Sequence, residues 1–505
     1  MPDDKDMAAQ VSELRAKLRA WKKIRNEKNL QNEKENLEPE EENMAKNLSV
    51  WNDYTEEEKE SLEKLSAGYI DFLSRCKTER ESVVEVIKQA EAVGYKNLDE
   101  VIRKRIPLKA GDKVYSVCMK KTIALFQIGD APLEKGLNIL GAHIDTCRLD
   151  LKQNPLYEES GLAYMDTHYY GGIKKYQWVT IPLAMHGVIV RRSGRVLDIV
   201  IGEEEGDPVF CVTDLLIHLS QEQLKKTADK VIEGDKLDIL VGNYPLRENN
   251  KESVKRGVLN VLKEKYNISE KDFLSAELAL VPAGKARELG LDRSMVLGYG
   301  QDDRVCAYTS LVAMLEVAEQ TFDRTACCLL VDKEEIGSFG ATGMKSRFFE
   351  NTLAELMNAC GQYSELALRR ALRNSFMLSS DVSSAYDALY AQAYDKNNVA
   401  YLGKGMVFNK FTGARGKSGS SDANAEYVAK LRSILDKNKV LYQFSELGKV
   451  DLGGGGTIAY MMAEYGMEVI DSGVAVLSMH APWEATSKID IYETKKGYSA
   501  FLKNI

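Results

Sequence analysis

The sequence lacks the features typical of nucleic-acid-binding proteins, of membrane proteins and of proteins with a signal peptide. Its 505 residues carry a net charge of -8, which argues against a nucleic-acid partner because such a partner needs a basic face. No apolar run reaches the roughly 18 residues of a membrane span, and residues 1–17 lack the apolar centre of a signal peptide. We therefore expect a cytoplasmic protein that binds neither nucleic acid nor membrane.

Simple metal-binding signatures are missing as well. The eight cysteines form no CxxC pair and several lie in apolar runs, so we expect buried reduced thiols rather than disulfides or a structural zinc site. There is no HExxH, and thus no sign of a zinc ion held from one helix. The sequence has five histidines: His143, His168, His186, His218 and His480.

One stretch nevertheless has the composition of a site. Residues 327–331 form an apolar run of strand length, and Glu334, Glu335 and a glycine follow closely. In a continuing strand the two glutamates would point to opposite faces, so both can serve one pocket only from a turn beyond the strand. There, one carboxylate could bind a metal while the other holds a water. A solvated surface pair is the alternative.

Other segments end in residues of metal-ligand type. Apolar runs precede His143 and Asp145, Asp381, and His480, and Asp302 stands where a helix-like stretch begins. Because sites in open α/β sheets form at the carboxyl ends of strands, these residues can converge. A hydrogen-bonded structural role is the alternative for each histidine taken alone.

The length and the changing texture of the chain predict two domains and an extension. Residues 1–50 are rich in Lys, Glu and Asn and carry an apolar stripe typical of a helix that docks on the body or on a neighbouring subunit. Residues 150–290 contain runs typical of antiparallel strands. Because the ligand-bearing strands lie on both sides, we predict a discontinuous α/β catalytic domain, 51–149 and 291–505, with a mainly β domain inserted at 150–290. The stripe consists of Val11, Leu14, Leu18, Trp21 and Ile24.

Five ordered motifs resemble those of the aspartyl-aminopeptidase family of co-catalytic metallopeptidases. The resemblance extends from about residue 69 to the C-terminus. It implies a zinc-peptidase-like three-layer α/β/α catalytic domain, an inserted dimerisation domain, and a homo-oligomer built from dimers, usually a tetrahedral dodecamer. The motifs are residues 143–145, residues 301–304 with Asp302, residues 334–338, Asp381, and residues 477–480.

The resemblance also implies a ligand set for two divalent metal ions per subunit. His143, Asp302 and Asp381 would hold one ion, and Asp302, Glu335 and His480 the other, with Asp302 bridging. Zinc is the expected metal, and cobalt and manganese are alternatives because all three suit mixed histidine and carboxylate sites.

Further roles are implied around these ligands. Glu334 would be the general base, and Asp145 would fix the tautomer of His143. In the family, a histidine of the inserted domain reaches the neighbouring subunit's active site, where it could stabilise an oxyanion. His218 is the candidate in this chain, and a half-buried histidine on an amphipathic helix is the alternative.

The specificity segments depart from the family pattern. Residues 382–387 replace a histidine-proline-asparagine turn, and residues 408–417 match only loosely the segment that reads an acidic side chain. Lys410 could pair with a substrate carboxylate or be a solvated loop cation. The glycine stretch lacks the ending of a P-loop, so Gly455, Gly456 and Thr457 are predicted to line the substrate pocket; a flexible connection is the alternative.

The sequence therefore predicts a cytoplasmic di-metal aminopeptidase that removes N-terminal residues from peptides, with its side-chain preference left open. One alternative is a related metal-dependent amidohydrolase of acylated amino acids or small peptides. Another is a non-catalytic scaffold that binds peptides. The full ligand set and Glu334 argue against the scaffold, because a scaffold has no need of a water-activating base.

Overall fold

The computed structural model describes residues 50–246 and 251–505. The predicted helix with its stripe from Val11 to Ile24 lies outside the described residues and stays a prediction. The chain divides into two compact units, Met1–Lys59 and Glu60–Ile505. Within the described ranges, every helix is too short or too polar to cross a membrane.

Two long helices, Glu56–Arg75 and Glu79–Ala92, open the main part of the described chain. Helix α3 starts where Thr78 and Glu81 form a capping box, which satisfies backbone N–H groups that would otherwise lack partners. The α-helices of the described residues are α1 (Val50–Asp53), α2 (Glu56–Arg75), α3 (Glu79–Ala92), α4 (Leu98–Arg103), α5 (Ser253–Tyr266), α6 (Gln301–Glu316), α7 (Phe348–Ala359), α8 (Glu365–Arg373), α9 (Ala425–Lys437), α10 (Ala459–Ala463) and α11 (Lys488–Asn504).

The strands form sheets of different character. In chain order, the described strands are β1 (Lys96–Asn97), β2 (Lys113–Cys118), β3 (Thr122–Gln127), β4 (Leu137–His143), β5 (Arg148–Glu159), β6 (Leu162–Tyr170), β7 (Leu183–Val190), β8 (Val196–Ile201), β9 (Cys211–Val212), β10 (Ile239–Gly242), β11 (Ala276–Pro282), β12 (Arg287–Leu289), β13 (Met295–Gly298), β14 (Thr325–Val331), β15 (Phe376–Ser380), β16 (Ser383–Ser384), β17 (Met406–Asn409), β18 (Gly413–Ala414), β19 (Tyr442–Phe444), β20 (Gly454–Gly455), β21 (Glu468–Gly473), β22 (Ala475–Leu477) and β23 (Glu484–Ser487).

The largest sheet has the order β1-β2-β3-β14-β4-β15-β21-β17-β19. Strand β4 lies between β14 and β15 and runs parallel to both, and every residue of β4 and β14 is buried. Parallel strands buried on both faces need a layer on each side. Helices supply both layers: Cys328 and Leu330 face a core that includes α2, α6 and α11, whereas Cys327 and Leu329 face one that includes α7, α8 and α10. The predicted three-layer α/β/α fold is confirmed.

A second sheet follows β4 in the sequence and precedes α6. Its order is β8-β7-β11-β5-β6-β10-β9, its neighbouring strands are antiparallel, and it covers a separate apolar core around Trp178. The predicted mainly β insertion in an α/β fold is therefore confirmed. Its predicted limits, 150 and 290, stay a prediction, although the strands themselves begin at Arg148 and end at Pro282.

A third sheet, β12-β13-β23-β22-β16, corrects one expectation. The apolar run that precedes His480, residues 473–479, has the length of one strand but does not form one. Strand β21 ends at Gly473 in the largest sheet, and β22 begins at Ala475 in the third sheet. The chain therefore changes sheets just before the turn that carries His480.

Candidate metal centre and active site

The ends of parallel strands build the site. Strand β4 ends at His143, Asp381 follows β15, and a 3-10 turn, Glu334–Ile336, follows β14 after Lys333 adopts a positive φ of 68°. Because β14, β4 and β15 are parallel neighbours, these ends meet at one edge of the sheet. The predicted turn beyond the strand is confirmed, and it places both Glu334 and Glu335 beside one cavity.

Asp302 lies between two histidines. At the start of α6 its backbone is not helical, and its peptide bond to Asp303 is cis. Its Oδ1 lies 3.2 Å from Nε2 of His143, and its Oδ2 lies 3.1 Å from Nε2 of His480. The two oxygens of one buried carboxylate thus face two separate imidazoles, which is the arrangement that a bridging carboxylate requires.

Further donor atoms gather on each side of Asp302. On one side, donor atoms of His143, Asp303 and Asp381 lie within 4.8 Å of one another. On the other side, Glu335 Oε2 lies 3.6 Å from His480 Nε2. The sulfur of Cys147, a carboxylate oxygen of Glu335 and a ring nitrogen of His480 also lie within 4.8 Å of one another. The predicted ligands are therefore brought together in two groups. Asp303 and Cys147 also belong to these groups, and the sequence did not predict either of them as a site residue.

The electrostatics of these groups favour a compensating positive charge. Burial raises the pKa of Glu334 to about 7 and that of Glu335 to about 8, with repulsion from Asp302 adding to both. Burial, followed by repulsion from Asp303, also raises the pKa of Asp381. Burial opposes ionisation of Asp302 too, but hydrogen bonds from the two imidazoles lower its pKa below the ordinary value. Crowded buried carboxylates ionise together only beside a cation.

A further observation tests whether the residues fit metal ions. Glu335 Oε1 is buried and has no hydrogen-bond partner among the described residues. Buried carboxylate oxygens normally have partners. The donor set of imidazole and carboxylate groups is also one that zinc binds. The residues present therefore fit divalent cations.

Asp145 organises one side of the site. It is fully buried, and its Oδ1 lies 3.3 Å from Nδ1 of His143. The backbone N–H groups of Glu334 and Glu335 donate to its two oxygens at 3.1 and 3.2 Å, and the Tyr170 hydroxyl donates to Oδ2 at 2.8 Å. One carboxylate therefore holds both a predicted ligand and the turn that bears the predicted base.

Glu484 organises the other side. Its Oε1 accepts the backbone N–H of His480 at 2.7 Å, and its Oε2 accepts that of Asp302 at 3.1 Å. Sequence reasoning missed Glu484 and Tyr170, because neither lies in a motif; sheet pairing brings them to the site.

A cavity of about 690 Å³ opens above these residues. Gly455, Gly456 and Thr457 line it, and the Thr457 hydroxyl donates to Asp471 at 2.5 Å. Lys410 is exposed and does not line this cavity, whereas Arg415 and Lys417 do.

His218 lies elsewhere on the described chain. It is exposed on a 3-10 turn, Ile217–Leu219, so the alternative of a half-buried helical histidine is wrong. Its apolar neighbours are exposed as well: Leu215, Leu216, Ile217 and Leu219. We call residues 215–219 the exposed apolar segment. His218 does not line the cavity of its own chain.

Comparison with known proteins identifies the family. The model of the family described as Aminopeptidase I zinc metalloprotease (M18) matches residues 72–502. The chain belongs to the M18 family. The predicted enzyme class, a metallo-aminopeptidase, is thereby confirmed, and the family description names zinc as the metal.

Individual M18 proteins show how far the likeness extends. A probable M18 family aminopeptidase 1 of Clostridium acetobutylicum is 60% identical over 457 residues, which are 90% of this chain and 98% of that protein. The crystal structure of an M18 aminopeptidase from Thermotoga maritima has a TM-score of 0.85 at 42% identity, covering 90% of this chain and 99% of that one. The Saccharomyces cerevisiae mApe1 dodecamer shares the fold, with a TM-score of 0.69 at 20% identity over 86% of this chain and 95% of that one.

Proposed function

We propose that this M18 enzyme is a di-metal aminopeptidase that hydrolyses the N-terminal peptide bond of peptides. The observation that carries the proposal is the placement of the Asp302 carboxylate, whose two oxygens lie 3.2 and 3.1 Å from the imidazoles of His143 and His480. A single bridging acid with a histidine on each side gives every cation its own imidazole and a shared negative charge.

Five side chains would hold the ions. When bound, two divalent cations would supply a water of lowered pKa and polarise the scissile carbonyl. The same five side chains would also keep the ions close, because three carboxylates offset their mutual repulsion. His143, Asp302 and Asp381 would hold one ion, and Asp302, Glu335 and His480 the other.

Glu334 is the proposed general base. It lines the cavity, and burial raises its pKa to about 7, close to the range in which a carboxylate both accepts and returns a proton. A cation nearby would favour its ionised form. In that form Glu334 takes a proton from the attacking water and delivers it to the leaving amine. Asp145 keeps the turn of Glu334 in place through the backbone N–H group.

The assembly is part of the proposal. We propose that the mainly β portion carries the dimer contact and that dimers build a homo-oligomer, with a tetrahedral dodecamer as the expected form. The exposed apolar segment supports this, since contiguous apolar surface marks interaction sites. His218 within it would then stand at a neighbouring subunit's active site. The named mApe1 dodecamer, which shares the fold, is consistent with this form. A cytoplasmic location remains part of the proposal.

Substrate hydrolysis tests the function. We expect chelator-stripped protein to regain cleavage of aminoacyl substrates with zinc, cobalt or manganese, and to leave N-acetylated versions intact, because the reaction needs a free α-amine. The matched Glu334→Gln variant should bind the same metal but lose about 10²–10⁴-fold in kcat. Cleavage of the acetylated versions alone would favour the amidohydrolase, and silence of folded, metal-loaded protein would favour the scaffold.

A further inference from the structure

A thiol lies inside one of the two donor groups. Cys147 belongs to the turn between β4 and β5 and is only 1% exposed. Its Sγ, a carboxylate oxygen of Glu335 and a ring nitrogen of His480 all lie within 4.8 Å of one another. The sulfur therefore faces the same space as two side chains already proposed to hold a cation.

Glu335 independently indicates that a ligand belongs in this space. Its side chain is 3% exposed, and its Oε1 is buried without a hydrogen-bond partner among the described residues. Leaving a buried carboxylate oxygen unpaired costs free energy, which a bound cation would offset. The His480 ring is fixed beside it, because its Nδ1 lies 2.9 Å from the backbone oxygen of Gly172 and so leaves Nε2 facing the acids.

Gly171 leaves room for the sulfur. It has a φ of +79°, and a Cβ added there would lie 2.5 Å from Cys147 Sγ and 3.4 Å from the Glu335 carboxylate. Any side chain at this position would therefore displace the thiol from the carboxylate. The backbone of Cys147 is fixed too, because the Tyr299 hydroxyl donates to its carbonyl oxygen at 2.9 Å.

We propose that Cys147 is a further ligand of the cation held by Glu335 and His480, and that it binds through sulfur. This inference rests on the proposed two-cation site. As the cation binds, the thiol proton leaves to solvent and a metal–sulfur bond forms. Thiolate is a soft ligand that favours zinc over manganese, whereas the group around His143 offers only nitrogen and oxygen. The two positions therefore differ in metal preference, and the Cys147 position is the one selective for zinc.

Cobalt substitution reports directly on a metal–sulfur bond. Protein stripped of metal and loaded with Co²⁺ should show the weak visible bands of bound cobalt and, in addition, an intense near-ultraviolet band of sulfur-to-cobalt charge transfer. Cys147→Ser should lose the near-ultraviolet band and keep the visible ones. Cys118→Ser is the matched control, since Cys118 lies at the end of β2 and its thiol donates to Ala341; its spectrum should equal that of the unsubstituted protein.

Competition between metals gives a second readout. We expect Cys147→Ser to weaken zinc binding at one position by roughly tenfold or more, because losing a ligand costs at least as much affinity as losing a group that only orients one. Manganese binding should be unchanged, because manganese gains little from a sulfur ligand. Visible cobalt bands without charge transfer in the unsubstituted protein would overturn the inference and leave the two-cation site intact. Absence of any cobalt uptake would overturn both. Both of these outcomes are read from the unsubstituted protein. The test therefore still decides the matter if Cys147→Ser fails to fold.

Discussion

At the scale of residues, the site depends on two buried acids that are not proposed ligands. Asp145 receives hydrogen bonds from the turn of Glu334 and Glu335, and Glu484 receives them from Asp302 and His480. Preorganised groups of this kind set the orientation of metal ligands and the strength of metal binding. Residues that hydrogen-bond to the carboxylates of Asp145 or Glu484 should therefore affect catalysis although they do not contact the substrate.

Tyr170→Phe tests this support. The substitution removes the hydroxyl that donates to Asp145 and keeps the ring that packs under the Arg148 guanidinium, 4.1 Å from the ring centroid. We expect kcat to fall and zinc binding to weaken, each by roughly tenfold, with KM nearly unchanged. Steady-state kinetics and metal titration measure these effects.

Tyr157→Phe is the matched control, because Tyr157 lies in the same sheet as Tyr170 and its hydroxyl donates to Asp238 rather than to Asp145. If both variants lose activity equally, the effect is one of general stability and the role of Tyr170 is refuted.

Residues in motifs could be predicted from the sequence, and residues brought in by the fold could not. His143, Glu334 and His480 follow apolar runs, so the sequence marks each as a strand-end residue. Tyr170 and Cys147 carry no such mark. Their positions depend on the pairing of β5 with β6, which no local pattern specifies.

At the scale of elements, the parallel strands were predictable because each is a short apolar run that ends in polar residues. The change of sheets between Gly473 and Ala475 was not predictable, because no turn residue separates the two strands in the sequence and only their partners differ. Strand β21 pairs with β15 and β17, whereas β22 pairs with β16 and β23. The surroundings of His218 were not predictable either. Its apolar neighbours resemble a buried helix face in the sequence, but in the structure they are exposed in and beside a short 3-10 turn.

Strand β21 also carries a pH-dependent group. Burial raises the pKa of Asp471 to about 7, although the hydroxyls of Thr457 and Ser379 donate to its carboxyl group and lower it. The folded protein thus keeps this proton to a higher pH than the unfolded chain, whose aspartate has the ordinary value of 3.8. Its contribution to stability is complete below about pH 4 and is lost as the pH rises to about 7, by at most about 1.4 kcal/mol per pH unit.

Asp471→Asn should remove this loss. We expect the free energy of unfolding of the variant to fall less than that of the unsubstituted protein between about pH 4 and pH 7. Urea unfolding at a fixed protein concentration measures the difference, and Asp229→Asn, on the exposed surface, is the control. Equal slopes for Asp471→Asn and the unsubstituted protein would contradict the assignment.

At the scale of the whole molecule, the exposure of the apolar segment 215–219 is not explained by an isolated chain. The four apolar residues of the exposed apolar segment are 47–68% exposed, from Leu215 at 47% to Leu219 at 68%. Contiguous exposed apolar surface of this kind marks a site where another surface binds and removes it from water. A second copy of the chain is the proposed partner.

Leu219→Asp should weaken that contact, because a charge buried without a partner destabilises an interface. We expect a lower mass by light scattering and reduced activity, since His218 would no longer reach a neighbouring site. Leu291→Asp is the matched control: Leu291 is fully exposed and lies outside the segment. An unchanged mass for Leu219→Asp would contradict the assignment of the dimer contact to this segment.

The central claim is that two cations share Asp302, and metal content measured against activity tests it most directly. Stripped protein titrated with zinc should reach full cleavage only when about two ions are bound per chain. Asp302→Ala should bind less metal and be inactive, because it removes a carboxylate whose two oxygens face His143 and His480. Full activity with one ion per chain, or unchanged metal content in Asp302→Ala, would contradict the claim.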